Sequence, residues 1–387
     1  MRIDIHMHFQ PPEAFAYLAD AAEREPYWAM LLGLHAETRQ TATSADEGRV
    51  LADMDRAGID RAVIQGEYYR QHESCVAAND RALALYRRHP ERFLVFAIVQ
   101  PTDHRALDEV RRCAAAGAAG IGELNPYAQG FTLDSPAFLR LAETCIDLGL
   151  PILLHVNEPV GRYYPGKAVT PLAQYYDLAL RFPELTIILA HWGGGLFFYE
   201  LMPSVRQALR NVWYDTAASP LLYPTADIFA VALRCVHPRK ILFGSDYPLP
   251  LFPRVSREPD LSAFLNDIMA LDIAPDIRDD LLGYNSARLL GLMTSEEAPA
   301  LESSRRSNVL PLPRYPITAA MSVAAIAAAW SSTRAVLEAY GIPWETVEAP
   351  LWEPLRQAAA ARGIGPERLK RLLADLNAAV QHESETP

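Results

Sequence analysis

The sequence predicts an α/β fold of the (β/α)8 TIM barrel class, followed by a small C-terminal all-α domain. Eight short apolar segments alternate with amphipathic helical segments along most of the 387 residues. The apolar segments show little polar alternation, which is typical of parallel strands covered on both faces. Eight strand–helix units in one run favour a closed barrel over an open doubly wound sheet. No Gly-x-Gly-x-x-Gly turn follows the first strand, so a dinucleotide-binding fold is disfavoured.

The predicted elements follow in chain order, and residues such as Gly58 and Pro90 mark helix ends. The predicted strands are Met1–Phe9, Arg61–Gly66, Phe93–Val99, Ala119–Leu124, Pro151–Val156, Leu185–His191, Val212–Thr216 and Lys240–Asp246. The predicted helices, whose apolar residues recur at three- and four-residue spacing, are Ala45–Ala57, Glu73–His89, Asp103–Ala116, Ser135–Leu148, Pro171–Phe182, Leu196–Leu209, Tyr223–Val236 and Asp260–Leu271.

Residues 275–292 are predicted to close the barrel with further helices, which gives a barrel domain over residues 1–293. Residues 294–316 are a predicted linker, because serines and prolines interrupt any helical pattern there. Residues 317–387 are predicted as a small helical domain. Its helices are Val323–Tyr340, Leu351–Ala361 and Glu367–Val380.

Composition and charge exclude some classes of function for this protein. The net charge of −11 argues against a nucleic-acid-binding face. No apolar run is long enough to cross a bilayer, and the chain enters its first strand without a charged-then-apolar leader. The four cysteines are scattered without a Cys-x-x-Cys pair, which is typical of a reducing compartment. We therefore expect a cytoplasmic protein whose partner is a small-molecule substrate rather than nucleic acid or membrane, and a homodimer is an open alternative.

The first strand carries a His-x-His pair, His6 and His8. Side chains alternate along a strand, so the two imidazoles should point to the same side, while Ile5 and Met7 face the surrounding helices. Neutral imidazole is a good ligand for zinc, iron or manganese. The long segment between Phe9 and Ser44 either covers the active-site mouth or packs as surface helices.

Further ionisable side chains stand at the ends of later predicted strands, where barrel enzymes place their catalytic groups. They are Glu123, His155, His191 and Asp246. Each has a structural alternative: a buried ion pair for Glu123, a core histidine for His155, a turn for His191 and a helix N-cap for Asp246. Their joint occurrence at one end of successive strands favours a metal site that includes His6, His8, His155 and Asp246.

Four segments also carry a family resemblance: Ile-Asp-Ile-His-Met-His-Phe, Leu-Leu-His-Val, Leu-Ala-His-Trp-Gly-Gly and Phe-Gly-Ser-Asp-Tyr-Pro. From Met1 to about Leu292 the chain resembles the amidohydrolase superfamily, in its branch related to aminocarboxymuconate-semialdehyde decarboxylase. The resemblance implies a (β/α)8 barrel with a divalent metal. It also implies that His6, His8, His155 and Asp246 are the ligands. His191 would then activate or orient the metal-bound water.

Glu123 is ambiguous within this resemblance. Two-metal relatives often place a bridging carboxylate at the end of the fourth strand, whereas one-metal relatives do not need it. Glu123 is therefore a bridging ligand, a substrate-binding group or a plain buried acid. Zinc is the expected metal, with manganese or iron as alternatives, and Asp246 is expected to be both ligand and proton acceptor.

The substrate-binding candidates lie on loops at the same barrel end. Arg162 and Lys167 could pair with a substrate carboxylate or phosphate, and Tyr127, Trp192 and Tyr247 could wall a planar substrate. The resulting hypothesis is a metal-dependent hydrolase of an ester, lactone or amide that bears a carboxylate. The alternatives are a non-oxidative decarboxylase of an aromatic or unsaturated acid and a non-catalytic metal- or metabolite-binding module.

The C-terminal segment resembles, more faintly, a small helical domain fused to iron–sulfur repair proteins. That domain usually carries a Cys-x-x-Cys pair after a Gly-Ile dipeptide, where this chain has Pro343-Trp344-Glu345-Thr346. No cysteine follows Cys235. The segment is therefore expected to bind a partner, to support dimerisation or to act only as a solubilising appendage.

Overall fold

The structure is a computed structural model that describes residues 1–31, 33, 43–164, 166–293, 314–344 and 353–383. Within these residues, eight strands pair in parallel in chain order. They are β1 (Ile3–His8), β2 (Arg61–Gln65), β3 (Phe93–Ala97), β4 (Gly120–Leu124), β5 (Ile152–Leu154), β6 (Ile187–Leu189), β7 (Val212–Asp215) and β8 (Ile241–Leu242).

Hydrogen bonds between the first strand and the residues that directly follow the last strand close the ring. The backbone N–H of Ile5 donates to the carbonyl of Phe243, and the N–H of Asp246 donates to the carbonyl of His6, both at 2.9 Å. The predicted (β/α)8 barrel is therefore confirmed, as is the presence of C-terminal helices.

Helices cover the outside of the barrel between successive strands. Asp46 and Ser135 cap the N-termini of two of them by accepting backbone N–H bonds, and Gly58 and Gly149 end the same two in the left-handed region. The helices are α1 (Pro12–Asp20), α2 (Pro26–Leu31), α3 (Glu47–Ala57), α4 (His72–Arg88), α5 (Ala106–Ala115), α6 (Pro126–Gln129), α7 (Pro136–Leu148), α8 (Leu172–Arg181), α9 (Pro203–Ala208), α10 (Ser219–Leu222), α11 (Thr225–Cys235), α12 (Leu261–Met269), α13 (Pro275–Asp279) and α14 (Asn285–Leu289).

Two strands are irregular at the positions where site residues stand. The pairing register shifts in β1 between Asp4 and Met7 and in β4 between Ile121 and Leu124. Such bulges re-aim side chains. Ile5 consequently packs with apolar residues of the other strands in a separate cluster that fills the barrel interior. The expectation that Ile5 faces the helices is wrong, because simple alternation does not hold across the bulge.

The predicted helix Leu196–Leu209 is also different in the structure. A 3-10 segment spans His191–Leu201, with left-handed backbone from Trp192 to Gly195, and only α9 follows it as an α-helix. At Gly194 a Cβ atom would lie 2.4 Å from the carbonyl oxygen of Asn157. The close approach and the positive φ angles both require glycine here, and they interrupt the helical pattern.

The C-terminal helices are α15 (Val323–Ala329), α16 (Thr333–Ala339), α17 (Leu355–Ala361) and α18 (Pro366–Glu383). The predicted helix Val323–Tyr340 is thus split at Trp330, which leaves the helical region and packs its ring 4.6 Å from the guanidinium of Arg181 on the barrel. Arg181 also donates to the carbonyl of Ala329. Most of the predicted linker 294–316 and the first residues of the predicted helix Leu351–Ala361 lie outside the described residues. No helix in the described part is long and apolar enough to cross a membrane.

Candidate metal centre and active site

The first donor group is formed by His6, His8 and Asp246, where β1 ends and the segment after β8 begins. His6 Nε2 lies 3.2 Å from His8 Nε2. Asp246 Oδ1 lies 3.6 Å from His6 Nε2 and 3.2 Å from His8 Nε2. The predicted His-x-His pair therefore delivers two ring nitrogens to one point, and the chain after β8 adds a carboxylate.

The second donor group is formed by Glu123, His155 and His191, from the ends of β4, β5 and β6. His155 Nδ1 lies 2.7 Å from Glu123 Oε1 and 3.1 Å from His191 Nε2. His191 Nε2 lies 3.4 Å from the same carboxylate oxygen. The structure thus places His155 beside Glu123 and His191, and it places Asp246 beside His6 and His8.

Glu123 connects the two donor groups. Its Oε1 faces His155 and His191, while its Oε2 lies 3.4 Å from His6 Nε2 and 3.6 Å from His8 Nε2. The side chain is buried. A carboxylate with one oxygen in each group has the geometry of a bridge.

The other ring nitrogens of His6 and His191 face hydrogen-bond acceptors. His6 Nδ1 lies 2.8 Å from Oδ2 of Asp215, and His191 Nδ1 lies 2.9 Å from the carbonyl oxygen of Ala217. Each Nδ1 therefore carries a proton and donates it. In the neutral rings, each Nε2 keeps a lone pair that points into the centre.

His155 is oriented by Asn157. The Oδ1 atom of Asn157 accepts a hydrogen bond from the backbone N–H of Ala168 at 2.6 Å and lies 2.9 Å from His155 Nε2. Because Oδ1 can only accept, His155 Nε2 must be the donor, and Nδ1 keeps the lone pair that faces Glu123. The lone pairs of three imidazoles thus converge on a carboxylate, an arrangement that a cation satisfies.

The donor distances around the first group fit a divalent cation. Zinc–ligand bonds of about 2.0–2.2 Å in a tetrahedron separate neighbouring donor atoms by roughly 3.3–3.6 Å. The measured separations among His6 Nε2, His8 Nε2, Glu123 Oε2 and Asp246 Oδ1 range from 3.2 to 3.6 Å. These four side chains could hold one ion, and the second donor group could hold another.

The electrostatics of the centre favour positive charge between the carboxylates. Without a cation, this charge comes from second protons on the imidazole rings, and His155 and His191 then donate to Glu123. Burial raises the pKa of Glu123, but the charges of His6 and His155 and the hydrogen bonds from His155 and His191 outweigh it and hold the pKa well below its usual value. Burial lowers the pKa of His191, but the hydrogen bond to Glu123 and the charge of Asp246 raise it to about 9. Protons on the imidazole rings or a bound metal ion can supply this positive charge.

The backbone is strained at two site residues. His191 has a φ of 55° and Asp246 has a φ of 69°, in the left-handed region that non-glycine residues rarely adopt. Each such residue costs on the order of 1 kcal/mol or more, and such costs concentrate at functional sites. The surrounding barrel therefore holds both side chains in positions that a free turn would not select.

The centre opens into a cavity of about 860 Å³, which His8, His155, His191 and Asp246 line at the buried end. Tyr27, Trp28 and Tyr68 form an aromatic wall of this cavity. The centroid of the Tyr68 ring lies 5.3 Å from that of Tyr27, 5.8 Å from that of Trp28 and 5.4 Å from that of His155. Further lining residues are Gln10, Leu31, Thr43, Asn157, Glu158, Arg162, Tyr164, Leu221, Leu222, Tyr223, Pro248, Leu249, Arg254 and Arg257.

Of the predicted substrate-binding residues, only Arg162 is among the described residues that line this cavity. Arg162 lines it, whereas the Nζ of Lys167 donates to Glu158 at 2.8 Å. Trp192 is buried and packs its ring 5.1 Å from that of Phe229. Tyr127 is half exposed, and neither it nor the buried Tyr247 is among the described residues that line the cavity.

Sequence reasoning missed several residues of the site. Asp215 ends β7 and could have been found by the rule that located Glu123 and His155, because it too is an acid at a strand end. Asn157 and Tyr68 carry no comparable signal. Their roles depend on which side chains the barrel brings beside His155.

The closed barrel brings four imidazoles and two carboxylates together at the carboxyl ends of its strands. This is the architecture of a barrel enzyme, and these side chains are of the kinds that bind divalent metals. The comparisons with known proteins specify this class further. The model of the amidohydrolase family matches residues 3–292, and the protein belongs to that family. The resemblance seen in the sequence is thereby confirmed.

Two curated relatives have different activities. The chain is 28% identical to a 4-sulfomuconolactone hydrolase from Rhizobium radiobacter over 316 residues, which cover 75% of this chain and 90% of the relative. It is 22% identical to a 2-amino-3-carboxymuconate-6-semialdehyde decarboxylase from Dictyostelium discoideum over 247 residues. That second match covers 55% of this chain and 65% of the relative, so it spans slightly less than two thirds of the decarboxylase.

The fold is also that of solved decarboxylases. The structure of a 5-carboxyvanillate decarboxylase from Novosphingobium aromaticivorans, in complex with manganese and 4-hydroxy-3-methoxy-5-nitrobenzoic acid, superposes with a TM-score of 0.58. The match covers 75% of this chain and 96% of the decarboxylase at 17% sequence identity. That decarboxylase was solved with manganese. In this chain, the side chains of the two donor groups could hold a metal ion.

Proposed function

We propose that this protein is a metal-dependent hydrolase that uses an activated water on an ester, lactone or amide bond of a small carboxylate-bearing substrate. The observation that carries the proposal is the position of Glu123, with one oxygen in each donor group. Glu123 could help to hold a cation in each donor group, and two such cations would supply an activated water and a polarised carbonyl, which is the chemistry that hydrolysis needs. The similarity to a lactone hydrolase over most of both chains supports the same choice.

The chain's own residues supply the proton transfers. A divalent cation would lower the pKa of water to about 7 and polarise the carbonyl of the substrate. Burial raises the pKa of Asp246, but the hydrogen bond with His8 and the charges of His6 and His191 lower it to about 2. Asp246 is therefore a carboxylate at neutral pH. It lines the cavity and can take a proton from the attacking water and return it to the leaving group.

His191 has a different part in this scheme. Its Nδ1–H is held by the carbonyl of Ala217, so only Nε2 faces the reacting groups. When only the first donor group holds an ion, Nε2 of His191 can accept a hydrogen bond from the water and orient it. When the second group also holds an ion, the same atom would hold that ion instead. His6 and Glu123 lie behind the surface of the cavity and serve to hold the centre together.

Zinc is the metal we propose, with manganese or iron as alternatives, because imidazole and carboxylate donors suit all three. The test is the metal content of the purified protein beside two double variants, His6→Ala/His8→Ala and His155→Ala/His191→Ala. We expect about two equivalents in the wild type and the loss of about one in each variant. Unchanged metal content in either variant would contradict the assignment of that donor group.

The second candidate function is a non-oxidative decarboxylase of an aromatic or unsaturated acid. The aromatic wall of Tyr27, Trp28 and Tyr68 favours it, because these rings suit a planar substrate. In that reaction a proton would be delivered to the ring carbon as carbon dioxide leaves. Measuring carbon dioxide release and lactone hydrolysis on matched substrate panels separates the two reactions. A folded, metal-loaded protein that is inert in both assays would instead indicate a non-catalytic binding module.

A further inference from the structure

The cavity has two chemically different ends. The buried end carries three of the imidazoles and Asp246, whereas the exposed residues Arg162, Arg254 and Arg257 line the other end. Arg162 lies on the loop after β5, and the other two lie on the loop between β8 and α12. Two separate loops thus bring arginine to the same mouth.

These three arginines are not neutralised by the described parts of the chain. Glu158, which also lines the cavity, accepts a hydrogen bond from Lys167 at 2.8 Å. Glu258 lies 3.6 Å from Arg49 and is not paired with Arg257. Among the described residues, no hydrogen bond or ion pair engages the side chain of Arg162, Arg254 or Arg257. Within the described residues, the mouth therefore carries an excess of positive charge, in a protein whose net charge is −11.

The wall between the two ends is apolar and aromatic. Trp28 and Tyr68 stack with ring centroids 5.8 Å apart on one part of the wall. Leu221, Leu222 and Leu249 contribute aliphatic surface elsewhere. A ligand that spans the cavity therefore meets imidazole and carboxylate groups first, then apolar surface, and finally three arginines that have no partner among the described residues.

We propose that Arg162, Arg254 and Arg257 form an outer subsite that binds an anionic oxygen-acid group of the substrate, a carboxylate or sulfonate, at the end remote from the reacting bond. The remote position rests on the proposed function, which places the reaction at the buried end. Guanidinium groups bind such anions through paired, charge-assisted hydrogen bonds. The substrate class is then a planar or unsaturated acid with its anionic group opposite the bond that is broken.

The test is a binding measurement that requires no turnover. Isothermal titration of metal-loaded protein compares benzoate with benzene-1,4-dicarboxylate and 4-sulfobenzoate, which place a second anionic group opposite the first. We expect the wild type to bind at least one of the two dianions at least about tenfold more tightly than benzoate. In the variant Arg254→Gln/Arg257→Gln, this preference should fall to about twofold or less, while benzoate affinity and metal content stay unchanged.

Two controls keep the result interpretable. Arg234→Gln removes an exposed arginine on α11, outside the cavity lining, and should leave the preference for dianions intact. Arg254→Lys/Arg257→Lys keeps the charge and should retain part of the preference, because lysine lacks the planar fork. A double glutamine variant that keeps the full preference would overturn the proposal. An enzyme inert in hydrolysis that still shows the preference would overturn the proposed function and leave the anion subsite standing.

Discussion

The two donor groups of the centre use the same kinds of atom but are held by different partners. In the first, the ring of His6 is fixed by the carboxylate of Asp215. In the second, the ring of His155 is fixed by the amide oxygen of Asn157, and that of His191 by a backbone carbonyl. An anionic partner raises the basicity of the ligand it holds more than a neutral one does. We therefore expect the first donor group to bind its ion more tightly.

The partners that hold the two groups also differ in burial. His6 and Asp215 are buried in the barrel. Asn157 is only half-buried and continues into a loop in which its Nδ2 donates to Tyr164, and Tyr164 donates to Glu158. The second donor group is thus connected to the cavity mouth, while the first is connected to the barrel interior. A change in the mouth loop should consequently affect the second group first.

The largest effect is expected from Glu123→Gln, because this change removes charge from both donor groups at once. We expect metal content to fall in both and kcat/KM to fall by more than about 100-fold. Elemental analysis and steady-state kinetics are the measurements. Glu200→Gln is the matched control, since Glu200 is also buried but pairs with Lys240 outside the cavity. It should lower thermal stability without changing metal content, and an E123Q protein with full metal content would contradict the bridging role.

A smaller effect, confined to the first donor group, is expected from Asp215→Asn. The amide oxygen can still accept the backbone N–H bonds of His191 and Ala217, which reach Oδ1. The new amide N–H would face His6 Nδ1 and shift the ring proton to Nε2, which removes the lone pair from the centre. We expect the affinity for one metal equivalent to fall by about 10- to 100-fold, as measured by competition with a chelator. If both equivalents weakened alike, the two donor groups would not be independent.

The smallest effect is expected from Asn157→Ala, because water can replace part of a half-buried amide. The affinity for the other metal equivalent should fall by about tenfold, and the pH dependence of metal binding should shift with it. Asn157→Asp keeps the acceptor oxygen and should restore the affinity. Asn211→Ala, which removes a half-buried amide that donates to the carbonyl of Pro183 away from the cavity lining, should have no effect on metal affinity. A merely structural role for Asn157 would lower stability without separating the alanine variant from the aspartate variant.

The sequence by itself determined the barrel and most of the donor residues. Apolar runs with helical segments between them predict the strand order, because parallel strands covered on both faces must be apolar throughout. The carboxyl ends of such strands meet at one mouth, so His6, His8, Glu123, His155, His191 and Asp246 could be named from strand ends alone. The irregular segment after β6 could not be predicted, since its glycines are required by the approach of Asn157 rather than by a local pattern.

Only the tertiary structure decided how the donors divide into two groups and which partner holds each ring. The bulges in β1 and β4 set the direction of the side chains beside them, and a bulge depends on the pairing of neighbouring strands. The proton on each imidazole depends on the acceptor behind it, and Asp215, Asn157 and the carbonyl of Ala217 reach those positions from elsewhere in the barrel. Local sequence fixes the kind of side chain at a strand end, but the distances between strand ends are set by closure of the ring.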